Sequence, residues 1–153
     1  MLTLEQMLIR LGVALVLGFI MGFEREMIGK EAGVRTCMTV ASGAAIFAMI
    51  SISLPYIVAV SPENLPEVIA RNSGFLGVVA NIVVGIGFLG AGIIIKTEEK
   101  VRGVTTAALI WFVAAIGALV GLGLTDFAII ASVVITLLLY LLRGANFGKK
   151  SQD

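Results

Sequence analysis

Five long apolar runs, separated by short polar gaps, constrain this 153-residue chain to a bundle of membrane-crossing helices. The runs cover positions 6–23, 36–54 (extending as far as 60), 72–95, 104–122 and 124–142. Each approaches the about 20 residues that a helix needs to cross the hydrocarbon of a bilayer. Nine of the eleven Lys and Arg residues occupy alternate gaps. Arg25, Lys30 and Arg35 fill the first gap, and Lys96, Lys100 and Arg102 the third, with Arg143, Lys149 and Lys150 on the tail. The second gap, 61–70, has no basic residue. Basic residues favour the cytoplasmic side, so the expected topology is N-terminus out and C-terminus in. An odd number of spans gives the same opposed termini.

The composition leaves no room for a soluble domain beside five helices, at 59% hydrophobic residues and a mean hydropathy of +1.07. The expected division is a transmembrane domain over 1–143 and a short cytoplasmic tail over 144–153. The first six residues lack the basic start and cleavage site of a signal peptide, so the first run is expected to be retained. A single cysteine, Cys37, forms no internal disulfide and reads as packing at the inner end of the second helix. The chain has no histidine, which removes His-centred acid–base chemistry, Ser–His hydrolysis and the commonest transition-metal ligand together. An enzyme is therefore not expected, nor is a cofactor, a structural metal or a nucleic-acid partner.

Local signals place the breaks. Gly29 is suited to end the first helix, and Glu26 and Lys30 pair at i,i+4 if that helix persists so far. Thr36 is placed to cap the second helix, and Thr105 or Thr106 the fourth. Pro55 predicts an end or kink in the second helix. Asn64 with Glu67 resembles a capping arrangement before an interfacial turn, with Glu67 and Arg71 paired. Arg10 is expected to reach the outer interface along its apolar stem, and Asp126 to cap the fifth helix.

Glycine is densest in the third run. Gly74, Gly77, Gly85 and Gly92 share about 80° of helix arc with Asn81, and Gly87 and Gly90 lie opposite. Small residues on two faces predict a central helix, approached closely from both sides. Gly18 with Gly22, and Gly117 with Gly121, form G-x-x-x-G pairs that fit either internal packing or a dimer contact. Gly85-Ile86-Gly87-Phe88-Leu89-Gly90 matches a dinucleotide-binding spacing, but that mechanism needs a preceding strand and a helix start. Inside an apolar run it reads as packing, and no nucleotide is expected.

Polar groups carry what remains. Asn81 falls near the bilayer midplane, where an amide needs a hydrogen-bond partner or a wet cavity. Glu24, Arg25, Glu26, Glu31, Arg35, Glu98, Glu99 and Arg102 gather at the inner ends of the runs. They read as a solvated loop surface or as a fixed ion-pair network, and they are compatible with weak magnesium binding, which their spacing does not demand. No Asp, Glu, Lys or Arg lies near the middle of a run, where ion-coupled carriers place their ionisable groups.

Three segments together resemble the MgtC/SapB family of bacterial membrane proteins. They are Gly22-Phe23-Glu24-Arg25-Glu26 with Ala32-Gly33-Val34-Arg35-Thr36, then Gly85 through Gly92, then Val101 through Ala108 ahead of Trp111. The resemblance implies an integral plasma-membrane module tied to magnesium limitation, intracellular survival or acid tolerance, with some members acting on other membrane machinery. It marks Glu24, Arg25, Glu26, Arg35, Thr36, Thr105 and Thr106 as motif positions. Many relatives carry Asp-Pro-x-Arg where positions 74–77 here read Gly-Phe-Leu-Gly, and Gln where this chain has Asn81. A short form without the family's C-terminal cytoplasmic domain is expected. Its leading function is non-enzymatic magnesium or ion homeostasis through membrane-protein partners. The alternative is a small oligomeric magnesium or cation channel or carrier lined by Asn81 and the glycine faces.

Overall fold

The computed structural model describes residues 2–59, 61–71, 74–97 and 100–142. Glu98, Glu99, Arg143, Lys149, Lys150 and the 144–153 tail lie outside the described residues, as do the side chain of Arg71 and the surroundings of Gly74. The elements are α1 (Leu4–Met27), α2 (Val34–Val58), a 3-10 turn (Pro62–Asn64), α3 (Leu65–Arg71) and α4 (Gly74–Ile93). A two-residue hairpin of β1 (Ile95–Lys96) and β2 (Val101–Arg102) follows, then α5 (Val104–Leu122) and α6 (Thr125–Leu142). Among the described residues, α1, α2, α5 and α6 are long and apolar enough to cross a membrane, and Gly77–Ile93 forms a shorter apolar helix.

Helix ends follow local chemistry. At the start of α1 the Gln6 N–H donates to Thr3 Oγ1 (3.3 Å) and the Thr3 N–H donates to Gln6 Oε1 (3.1 Å), a reciprocal cap. At its end Gly29 turns left-handed (φ +66°) while its N–H bonds the Glu26 carbonyl and the Lys30 N–H bonds the Arg25 carbonyl. Because α1 stops at Met27, the Glu26–Lys30 helical pair is not formed. Helix α2 passes through Pro55 to Val58. Of the expected end or kink at Pro55, the end is not what forms: a proline this near a helix end removes one bond from a turn already losing them. The expected run to Ile95 also shortens, since Ile95 enters the hairpin.

Helices α1, α2 and α5 form the core, through Ala14, Leu17, Met21, Cys37, Ala41, Ala45, Val113, Ile116 and Val120. Small residues set the spacing. A side chain at Gly18 would meet the Cys37 carbonyl oxygen (2.7 Å) and Met38 Cα (2.8 Å), and one at Gly22 would meet Val34 Cα (2.7 Å). Gly117 lies against the Ala41 backbone, and Gly121 against the Ala45 backbone. Backbones approach this closely only where one partner has no Cβ.

The central helix is α5, with 56% of its span buried against 11% for α6. This corrects the expectation that the glycine-rich third run, now α4, occupies the centre. Gly77, Gly85, Gly87 and Gly92 face open space within the chain, and Phe88 is 86% exposed. Gly90 alone among the described glycines of α4 meets a neighbour, Ala107 on α5 at 3.6 Å. The reason lies in α5 itself. Its glycines and alanines already admit α2 closely, so α4 packs on the outside of that pair.

Candidate functional site

The first polar cluster is built where α1 ends, α2 begins and α5 begins. The Arg25 side chain is 4% exposed, in the last turn of α1. Its Nη2 donates to Thr106 Oγ1 at 2.9 Å, and the Thr106 hydroxyl donates onward to Glu31 Oε2 at 3.2 Å. A hydroxyl has one proton to give and lone pairs to receive, so the order Arg25 to Thr106 to Glu31 is chemically consistent. Burying a guanidinium is costly unless it is hydrogen-bonded and near opposite charge. Thr106 and Glu31 supply both, though Arg25 Nε stays buried without a partner. Backbone hydrogen bonding at Glu31 and the Thr106 hydroxyl, with Lys30 and Arg25 adding favourable charge, hold the Glu31 carboxyl below its ordinary range.

Glu26 closes the same corner differently. Its Oε2 accepts the Val34 N–H at 2.8 Å, so a carboxylate from α1 caps α2. This corrects the expected cap at Thr36. The residue preceding the helix is Gly33, which has no side chain to offer, and Thr36 sits inside the first turn. The expected cap of α5 at Thr105 or Thr106 is corrected likewise. Gly103, left-handed at φ +84°, precedes that helix without a side-chain cap, and Thr106 spends its hydroxyl on Arg25 and Glu31. Of the motif positions, the structure joins Arg25 with Thr106, and Glu26 with the start of α2. Glu24 is buried beside them, whereas Arg35, Arg102 and Thr105 are exposed.

The opposite end holds Arg10. Its Nη1 donates to the Gly121 carbonyl at 2.6 Å, where the last carbonyls of α5 concentrate negative potential. Gly123, left-handed at φ +93°, leaves room for the guanidinium, which would lie 2.9 Å from a Cβ there. The sequence reading of Arg10 as a side chain reaching the interface missed this anchor; the adjacent glycines at 121 and 123 were the available signal. Asp126 lies in the first turn of α6.

Asn81 lines an apolar groove of about 540 Å³ between α2 and α4, with Thr39, Gly43, Phe47 and Gly85. Its amide is exposed, and none of the described residues hydrogen-bonds it. Nor do three His, Cys, Asp or Glu side chains converge on a metal-sized site among the described residues.

A helical bundle with buried polar ties at both ends and an apolar exterior is a multi-pass membrane protein. The chain belongs to the MgtC family, whose model matches residues 11–146. It is 45% identical over 130 residues to Protein MgtC of Brucella abortus, covering 85% of this chain and 48% of that one. It is 41% identical over 138 residues to Protein MgtC of Salmonella typhimurium, covering 90% and 53%. An uncharacterized Synechocystis protein is 39% identical over 131 residues, covering 86% and 50%. The chain thus spans about half the length of the curated relatives it matches. No solved structure matches it.

Proposed function

We propose that this chain is a non-enzymatic module of magnesium or ion homeostasis in a bacterial inner membrane, acting by contact with partner membrane proteins. In this reading it has five spans, N-terminus out and C-terminus in, with α4 crossing third in chain order beside the four long helices, and 144–153 a cytoplasmic tail. The observation that carries it is where charge is buried. Among the described residues the buried charged side chains are Glu24 and Arg25, both in the last turns of α1. The buried polar groups deeper in the bundle are Ser51, Ser53 and Ser132, which do not titrate. Ion-coupled carriers place ionisable groups along their path, and the described residues bury no charged side chain away from the end of α1. Membership of the MgtC family supports the link to magnesium.

Crosslinking in native membranes with mass-spectrometric identification tests the reading: a distinct membrane protein is expected among the products, and robust magnesium flux by the purified chain in liposomes overturns it. External labelling of Lys100→Cys in intact cells would overturn the orientation. The second reading, a small oligomeric cation channel or carrier, is favoured by the groove at Asn81. Flux that survives Asn81→Leu would remove that lining. Arg35→Glu should impair complementation more than a change at Lys149, since Arg35 occupies a motif position.

A further inference from the structure

A second groove, of about 430 Å³, opens beside the α1–α2 corner and is lined by Phe19, Phe23, Glu26, Met27, Val34 and Arg35. Its floor is apolar. Phe19 and Phe23, one turn apart on α1, stack with ring centroids 5.7 Å apart, and both are exposed together with Met27. Its polar end carries two charges of different availability. The Glu26 carboxylate keeps its charge but accepts the Val34 N–H at 2.8 Å, facing the positive end of the α2 dipole, which offsets it. Arg35 is exposed, and among the described residues no carboxylate pairs with it. The groove therefore presents hydrocarbon along its length and one free guanidinium at its mouth, where the apolar run of α2 begins.

That sequence of surfaces is complementary to a phospholipid, and we propose that the groove binds an anionic phospholipid. Arg35 holds the phosphate, and Phe19, Phe23 and Met27 hold the upper part of an acyl chain. A planar guanidinium suits phosphate oxygens because it can donate two parallel hydrogen bonds. Exposed Lys30, in the adjoining turn, adds positive potential at the headgroup level. A zwitterionic lipid brings its own cation close to Arg35, whereas a net anionic headgroup does not, so the site selects by charge. The proposal needs the bundle to sit in a bilayer and is independent of what the protein does to magnesium.

The test is fluorescence quenching by brominated lipids. The full chain carrying Trp111→Phe and Phe23→Trp is reconstituted into phosphatidylcholine bilayers containing brominated phosphatidylglycerol or brominated phosphatidylcholine. The expected preference for phosphatidylglycerol at position 23 is about five-fold, the effect of one basic residue at an anionic surface. Arg35→Gln should bring it to about one-fold, while Arg35→Lys keeps a preference. A reporter at Phe88→Trp, on the exposed flank of α4, should show no preference in any background. Equal quenching by the two lipids at position 23 overturns the proposal. A preference that survives Arg35→Gln overturns it too, as does displacement of the brominated lipid by millimolar inorganic phosphate.

Discussion

Gly117 and Gly121 on α5 lie against the backbone of α2, whereas Gly77, Gly85, Gly87 and Gly92 on α4 face open space. The two helices carry the same residue type, but α5 packs both of its glycines against a neighbour, whereas on α4 only Gly90 among the described ones meets another helix. Glycine marks where a close approach is allowed; it does not say which neighbour takes up the offer. On α5 the neighbour is α2, whose Ala41, Ala45 and Ala48 are small enough to follow. On α4 the exposed glycines remain available to something outside this chain.

The largest expected effect breaks the tight side of this comparison. Gly117→Leu should lower stability by about 3 kcal/mol, because four carbons have no room against the Ala41 backbone and the packed helices must separate. Gly85→Leu should change it by less than about 0.5 kcal/mol, since a Cβ there meets nothing within 4 Å and the position borders the open groove between α2 and α4. Thermal unfolding in detergent micelles measures both. A large loss for Gly85→Leu in bilayers but not in micelles would sharpen the comparison, placing a second copy or a partner against α4.

Next in size are the two arginine ties, one buried and one half-buried, which divide the ends of the bundle. Arg25→Ala leaves the Thr106 hydroxyl without its donor and Glu31 without a nearby positive charge, and should cost about 2 kcal/mol. Arg10→Ala removes a charge-assisted bond to the end of α5 from a half-buried position and should cost about 1 kcal/mol. Arg10 and Arg25 are separated by the same fifteen residues as their partners Gly121 and Thr106 on the antiparallel α5. Helical rise makes that about 22 Å, somewhat less than the hydrocarbon thickness, so the ties sit near opposite faces. Equal melting temperatures for Arg25→Ala and the exposed Arg35→Ala would remove the case for the Arg25 tie.

Much of this architecture could be read from the residues. Long apolar runs fixed the helices of α1, α2, α5 and α6 within a few positions, and Gly29 marked the end of α1. The centre of the bundle could not be read in that way. Counting glycines favoured α4, whereas burial followed the alanines and valines interleaved with Gly117 and Gly121 on α5. Sequence proximity also misled at the caps. Thr36 and Thr106 have the right chemistry for a helix start, but Glu26 reaches Val34 from another helix and Thr106 meets Arg25 eighty-one positions away. Such partners depend on how helices dock, and no local pattern announces them. The two-residue strands at Ile95 and Val101 were missed because so short a hairpin leaves no alternation to detect.

The smallest expected effect concerns pH and Glu31, the exposed member of the Arg25 tie. The Glu31 carboxyl is held below its ordinary range in the fold, by backbone hydrogen bonding first and by the Thr106 hydroxyl next. A depressed carboxylate binds its proton more readily in the unfolded chain than in the folded one. Its contribution to stability is therefore complete above the unfolded value and fades as pH falls through the folded one. Glu31→Gln removes the charge while keeping an oxygen that can accept the Thr106 proton. Melting temperatures of the parent and this variant should differ slightly at neutral pH, in favour of the parent, and converge in acid. Because Glu31 is exposed while Arg25 is buried, the convergence should be far smaller than the loss in Arg25→Ala. Parallel curves across the whole range would mean that Thr106, rather than the Glu31 charge, accounts for holding Arg25 in place.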